Sequence, residues 1–258
     1  MHSGVLDQFS VPPEVLSAFL HQMSSNYHPN PYHNFNHGVH VLHGVYMHLR
    51  AGVGDASHCT PVTPLEQFAL LVAAIGHDVD HPGLTNAFLV NVGAPLAMRY
   101  NDRSPIYLRL ELSICFGRRF PMDAPLLHLH LCHLYRRSVL ENHHTAMTFE
   151  ILARPGCNML ESLPPDQFRE VRNIMVASIL ATDMAHHDAM VKDLTSYASD
   201  MNPVPRLDVL RTFIHLADLG NCALVWSLAE EWSVRVCDEA VAQAVEENRS
   251  ASSPPDFE

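Results

Sequence analysis

One segment constrains this chain more than any other, the stretch that follows Thr63-Pro64-Leu65-Glu66. Thr63 is placed as a helix N-cap. Pro64 takes the first helical position, where its missing N–H costs nothing, and Glu66 is positioned to complete a capping box. Residues 68–75 then run apolar on every side. A helix without a polar face must be surrounded by other elements, so this one is expected at the centre of the fold. It is far too short to span a bilayer. It runs directly into His77-Asp78 and is broken by Pro82-Gly83.

The remaining pattern is also helical. Val15, Phe19 and Met23 mark a first amphipathic helix. A second strong pattern starts near Pro165-Asp166, with Phe168, Val171, Met175 and Ile179 at helical spacing, and continues past Met190. Another covers residues 207–219 and, after a break near Asn221, resumes over 223–246. No stretch sustains period-2 alternation, so the fold class is all-α. The chain has 258 residues, 47% of them hydrophobic, enough to bury a sizeable core. Nothing marks a boundary between two folded units. The expected organisation is one domain over residues 1–249 and a polar, Pro-containing, disordered tail over 250–258. Residues 105–137 lack clean helical periodicity, and within them residues 126–137 place His128, His130 and His133 among leucines.

Charge narrows the range of partners. The formal net charge is −12, which repels a polyanion such as duplex nucleic acid. A small phosphate ester remains compatible if bound cations reverse the local sign. The six cysteines form no CxxC pair, which excludes a zinc ribbon or a thioredoxin motif. They read as reduced, mostly buried thiols of a cytoplasmic protein. No basic region followed by an apolar run opens the chain, so no signal peptide is expected.

The ionisable residues stand where ionisable residues are costly. His33 and His37 are four apart, which on a helix puts both imidazoles on one face. His77 and Asp78 end the apolar helix, and Asp80 and His81 follow. Burying such a pair costs several kcal/mol unless a partner compensates, and a bound cation is the simplest one. Leu207, Leu210 and Ile214 define an apolar stripe that Asp218 continues, and Asp183 interrupts another apolar run. Glu141-Asn142-His143-His144 adds a compact polar group. Each feature alone has an ordinary structural explanation, as a surface pair, a cap or a salt-bridge partner. Together they offer imidazoles and carboxylates without thiolates, a set suited to zinc beside a harder ion such as magnesium or manganese.

These residues resemble the class I cyclic nucleotide phosphodiesterases. Tyr32-His33-Asn34-Phe35-Asn36-His37 is similar to the family's YHNxxH signature, and His77-Asp78-Val79-Asp80-His81-Pro82-Gly83 to its HDxDHxG signature, with Asn86 after it. Leu140-Glu141-Asn142-His143-His144, Ala181-Thr182-Asp183-Met184 and Ala217-Asp218-Leu219-Gly220-Asn221 resemble later signatures in the right order. The resemblance implies a compact helical bundle with a central metal site. It also implies hydrolysis of cAMP or cGMP to nucleoside 5′-monophosphates by a hydroxide held between two ions. His37, His77, Asp78 and Asp218 would bind the tighter metal, zinc, and Asp78 would bridge to a second ion, magnesium or manganese. His33 would be the general acid. His81, Glu141, His143, Thr182 and Asp183 would orient metal waters and ligands. Tyr32, His33, Asp218, Asn221 and Met184 would line the nucleotide pocket.

The sequence also departs from that pattern. The run from Leu96 to Ser104 would normally continue into the Glu141 motif, so residues 105–138 read as an insertion, either a surface loop or a retained intron translated in frame. Beyond Glu239 the family's further helices, with the glutamine that holds the purine, are not recognisable, and Cys222 stands where a proline is usual. The chain reads as a trimmed catalytic domain, with cAMP against cGMP left open and regulatory domains or a homodimer not visible. The competing reading is a catalytically impaired relative that keeps its metals for structure and serves a binding or regulatory role. A third is another HD-type phosphohydrolase acting on a different nucleotide.

Overall fold

A computed structural model describes residues 8–51, 61–101, 138–200 and 203–252. Among them, ten α-helices and two 3-10 turns occur and no strand. The helices are α1 (Pro13–Ser25), α2 (Phe35–Ala51), α3 (Pro64–Gly76), α4 (Asn86–Asn91) and α5 (Pro95–Asn101), then α6 (Val139–Leu152), α7 (Pro165–Leu180), α8 (His187–Ser199), α9 (Arg206–Asp218) and α10 (Trp226–Ser252). The 3-10 turns are Met184–His186 and Leu219–Ala223.

The helix without a polar face is at the centre. α3 packs against α2, α6, α7 and α9, and Phe68, Ala69, Leu70, Val72, Ala73, Ala74 and Ile75 are all buried. Its start is the predicted capping box: Thr63 Oγ1 accepts the Glu66 N–H at 3.3 Å, and the Glu66 carboxylate accepts the Thr63 N–H at 2.7 Å. Arg206, at the first turn of α9, donates Nε–H to Glu66 at 2.7 Å and ties the two helix starts together. Around α3, Phe19 and Met23 of α1, Val41 and Val45 of α2, Met175 and Ile179 of α7, and Leu210 and Ile214 of α9 complete one apolar core.

Two close approaches set how tightly this core closes. A Cβ on Gly44 of α2 would lie 2.9 Å from the Ala217 Cβ of α9. A Cβ on Gly76 would lie 2.9 Å from Thr148 Cγ2 of α6 and would overlap the Thr148 hydroxyl. Thr148 Oγ1 itself bonds the His144 and Gly76 carbonyls, at 2.8 and 3.2 Å.

The structure corrects several expectations. His33 and His37 do not share a helix, because α2 starts at Phe35 and His33 lies in the turn before it. That turn is held by Asn34, whose Oδ1 accepts the Asn36 and His37 N–H groups. The pattern through Met190 is two helices. α7 stops at Leu180, and Asp183 restarts the chain by accepting the Ala185 N–H at 2.8 Å. The break near Asn221 is a sharp bend of 106° between α9 with its 3-10 turn and α10. Residues 250–252, read as tail, continue α10, whose polar last turns are supported by i,i+4 and i,i+3 pairs such as Gln243–Glu247 and Arg249–Glu246. Residues 253–258 lie outside the described residues, as do residues 105–137 of the proposed insertion. Of the three cysteines described, only Cys157 is buried; Cys222 and Cys237 are exposed, on or near the polar α10.

Gly76→Ala drives a methyl into Thr148 where neither backbone has room. We expect it to destabilise the protein by about 1–3 kcal/mol, read as a lower urea midpoint at unchanged m-value.

Candidate metal centre

Two helix ends and one helix start meet beside α3. The turn after α3 supplies His77 and Asp78, the first turn of α2 supplies His37, and the last residue of α9 supplies Asp218. One ligand atom from each of these four side chains lies within 4.8 Å of the others. His37 Nε2 is 3.0 Å from Asp218 Oδ1 and 3.4 Å from Asp78 Oδ2. His77 Nε2 is 3.1 Å from Asp78 Oδ2 and 3.4 Å from Asp218 Oδ1. Ligands 2.0–2.2 Å from a tetrahedral ion stand about 3.4 Å apart, so these four imidazole–carboxylate distances are close to those between ligands of one ion.

The imidazoles fit this reading. His77 Nδ1 lies 2.9 Å from the Ala74 carbonyl and donates its N–H there, which leaves the Nε2 lone pair facing the carboxylates. His77 Nε2 is buried and has no hydrogen-bond partner. An orphaned acceptor between two carboxylates calls for a positive centre. In the protein alone, a proton plays that part. Burial disfavours charge on His77, but Asp78 and Asp218 outweigh it and raise its pKa well above the ordinary value. Burial also works against the Asp78 and Asp218 anions. Even so, the facing imidazoles hold both carboxyls below their usual range.

A second histidine cluster adjoins the first. His33 Nδ1 bonds Glu239 Oε1, and Glu239 Oε2 accepts the backbone N–H of Tyr32 and of His33, each at 3.0 Å. Burial lowers the pKa of His33, but Asp78, Glu239 and Asp218 together raise it above 6.5. His81 stacks on His33 with ring centroids 3.9 Å apart. Burial and the charge of His33 push His81 well below the ordinary value, opposite to the shift of His33.

Both clusters open on a cavity of about 510 Å³. Tyr32, His33, Asp78, His81, Glu141, Thr182, Asp183, Met184 and Asp218 all line it. His37, His77, Asn221 and His143 are not among its lining residues. Asn221 is one step back and donates Nδ2–H to the Tyr32 hydroxyl. His143 turns away, placing Nε2 2.7 Å from Asp80 and Nδ1 3.1 Å from the Tyr100 hydroxyl. Its neighbour His144 lines the cavity instead, with Nδ1 on the Val79 carbonyl at 2.8 Å and Nε2 3.8 Å from Asp78. Burial lowers the His144 pKa to about 4, so it is neutral. Glu141 is held by Asn86 Nδ2 at 3.0 Å, and burial with the charges of Asp183 and Asp78 pushes its pKa to about 7. Asp183 accepts the Ser138 hydroxyl at 2.6 Å.

Glu239 is the main residue that motif spacing missed. A signal was present: Val236, Glu239, Ala240 and Gln243 fall at i, i+3, i+4 and i+7, one helix face, and all four line the cavity. Glu239 is only 7% exposed, on a helix that is otherwise largely in solvent.

Comparison with known proteins follows the same lines. Residues 32–107 and 127–257 match the sequence model of the family described as 3'5'-cyclic nucleotide phosphodiesterase. The 3',5'-cyclic-nucleotide phosphodiesterase regA of Dictyostelium discoideum is 34% identical over 92% of this chain and 26% of its own length. The high affinity cGMP-specific 3',5'-cyclic phosphodiesterase 9A of Mus musculus is 32% identical over 93% of this chain and 39% of its own. The chain thus spans well under half the length of these curated relatives. Among solved structures, the phosphodiesterase domain of the RhoPDE fusion protein from the choanoflagellate Salpingoeca rosetta superposes with a TM-score of 0.76 at 32% identity, covering 96% of this chain and 68% of that one.

A divalent ion at the four-residue centre has a direct test. Asp218→Asn is expected to weaken retention of a divalent metal on dialysis about 10-fold, measured by elemental analysis. In the unaltered protein, metal occupancy should fall as pH drops, because protons compete for His77.

Proposed function

Because this chain belongs to the 3'5'-cyclic nucleotide phosphodiesterase family, we propose that it hydrolyses cAMP, cGMP or both to nucleoside 5′-monophosphates. One observation carries the reading: Asp78 and Asp218 of the four-residue centre line the same cavity as His33, whose ring is held by Glu239. The cavity volume is within the range of small-molecule sites.

His37, His77, Asp78 and Asp218 would hold zinc. Asp78, which also lines the cavity, would help hold a second, harder ion, magnesium or manganese. When bound, these ions supply activation of the attacking water and neutralisation of the phosphodiester charge. The remaining work falls to the side chains. Glu239 takes the Nδ1 hydrogen of His33, which leaves the Nε2 proton for the ligand. As the new P–O bond forms and the P–O3′ bond breaks, that proton passes to O3′, so the leaving group departs as a hydroxyl. His81, Glu141, Thr182 and Asp183 would orient water at the cavity wall, and His144, rather than His143, would join them. Tyr32, braced by Asn221, and Met184 would contact the nucleotide.

No single helix among the described residues is long and apolar enough to cross a membrane. The reading places the chain in the cytoplasm, acting on a diffusible cyclic nucleotide.

Purified protein supplied with zinc and magnesium should release 5′-AMP or 5′-GMP from the cyclic substrate. Metal-loaded protein without turnover would instead favour a metal-holding binding or regulatory role. Given turnover, His33→Ala should lower kcat about 10²–10⁴-fold.

The pH profile gives an independent check. A general acid works only while protonated, so kcat should fall as pH rises through the His33 pKa. Glu239 is one of the groups that raise that pKa. Glu239→Gln should therefore move the falling limb to lower pH, and a limb that stays in place contradicts the assignment.

A further inference from the structure

His33 and His81 stack face to face, yet they stand on separate turns, one before α2 and one after α3. Asp80 ties the second turn to the segment before the first, through its N–H on the Asn26 carbonyl and its carboxylate on His28, and one further side chain bonds the backbones of both stacked histidines. Asn30 Nδ2 donates to the His33 carbonyl at 2.9 Å and to the His81 carbonyl at 2.7 Å. An amide NH₂ carries two hydrogens, and both are committed.

The surroundings hold this amide in place. The Asn30 carbonyl accepts Asn34 Nδ2–H at 2.9 Å, and Asn34 Oδ1 accepts the His37 N–H at 3.2 Å. A chain of hydrogen bonds therefore runs from the junction of the two turns to the first turn of α2. On the other side, Gly83 has φ +73°, and a Cβ there would lie 3.1 Å from Asn30 Oδ1. The glycine supplies both the left-handed turn and the room for the amide. Asn30 does not itself line the cavity.

We propose that Asn30 is a positioning residue whose amide pins the His33 turn to the His81 turn and so fixes the stacked pair from which His33 delivers its proton. The inference rests on His33 as the general acid of the reading above. Without the pin, the carbonyls of His33 and His81 lose the donor they share, and the two turns stay linked only at a distance from the stack, through Asp80 to Asn26 and His28. A displacement on the order of 1 Å is enough to cost about 10²-fold in a proton-transfer step.

The test separates aim from fold by changing the leaving group. Asn30→Asp keeps the shape but replaces two donors with an acceptor facing two carbonyl oxygens. Asn30→Ala removes the donors without adding charge, and serves where the Asp variant does not fold. Each is assayed on the cyclic nucleotide, whose 3′ oxygen needs a proton to leave, and on a nucleoside 5′-(p-nitrophenyl) phosphate, whose leaving group does not. Metal content is measured alongside, with His33→Ala as the benchmark.

The expected result is a kcat about 10- to 100-fold lower on the cyclic nucleotide, KM and metal content nearly unchanged, and aryl ester turnover within about twofold of the unaltered protein. If the Asn30 variants lose both substrates equally while His33→Ala separates them, Asn30 is only structural and the proposal fails. Unchanged cyclic nucleotide turnover overturns it as well. If His33→Ala does not separate the substrates, the general-acid reading fails, and the Asn30 proposal falls with it.

Discussion

Two carboxylates brought against two buried imidazoles set the terms for the rest of this structure. Asp78 and Asp218 lie where burial alone would keep a carboxyl protonated, yet both are held as anions by the facing histidines. Their positions add to the cost. Asp218 is the last residue of α9, and Asp78 follows the last turn of α3, so two helix C-termini direct their partial negative charge at the same point. Negative side chains at that end of a helix are unfavourable unless a cation answers them. The protein alone answers with protons on imidazoles; a dication answers with more charge in less space. Metal binding and folding stability are therefore linked, since whatever binds this centre in the folded chain stabilises the fold that assembles it.

The packing that assembles it depends on what side chains lack. α3 is apolar all round, so it can be enclosed by four other helices and still end inside the protein. Small residues then set the distances. Gly44 lets α2 approach Ala217 of α9, the residue before Asp218, and the same contact leaves His37 Nε2 3.0 Å from the Asp218 carboxylate. Gly76 lets α6 approach the end of α3, which brings His144 to within 3.8 Å of Asp78. A methyl at either glycine would act on the centre through the backbone, without touching a ligand.

What the sequence made legible follows from where residues look out of place. Asp78 and Asp218 could be picked out because a carboxylate at the end of an apolar run or on an apolar stripe is anomalous, and α3 because its cap and its apolar faces agree. The histidines before α2 could be paired but not placed. Spacing of four suggests a helix, and only the Asn30 and Asn34 side chains, which favour a turn, put His33 ahead of the helix start. His143 and His144 were a choice between neighbours about 100° apart on one helix, decided by α6 packing against the turn after α3. The break between α7 and α8 was hidden because apolar spacing passes through it, and the Asp183 cap shows only once the backbone turns. Glu239 was hidden by distance along the chain. Its helix is polar and largely exposed, and its carboxylate acquires meaning only when α10 folds back over the turn that carries His33.

The same field that holds the centre together also sets the character of the cavity. Glu141 has its pKa pushed to about 7 by burial and by the charges of Asp183 and Asp78, with hydrogen bonds from Asn86 and from the backbone opposing. His144 is neutral from burial, and His81 from burial together with the charge of His33. The cavity wall therefore carries little positive charge beyond His33, in a protein of net charge −12. An anionic phosphodiester has no reason to enter such a space on the strength of the side chains alone. Cations at Asp78 would change both terms at once. They would attract a phosphate, and by cancelling the Asp78 charge they would remove one of the effects that raise the Glu141 pKa, leaving burial and Asp183 in place. Entry of an anion and the ionisation of the wall thus both depend in part on the charge bound at the His–Asp centre.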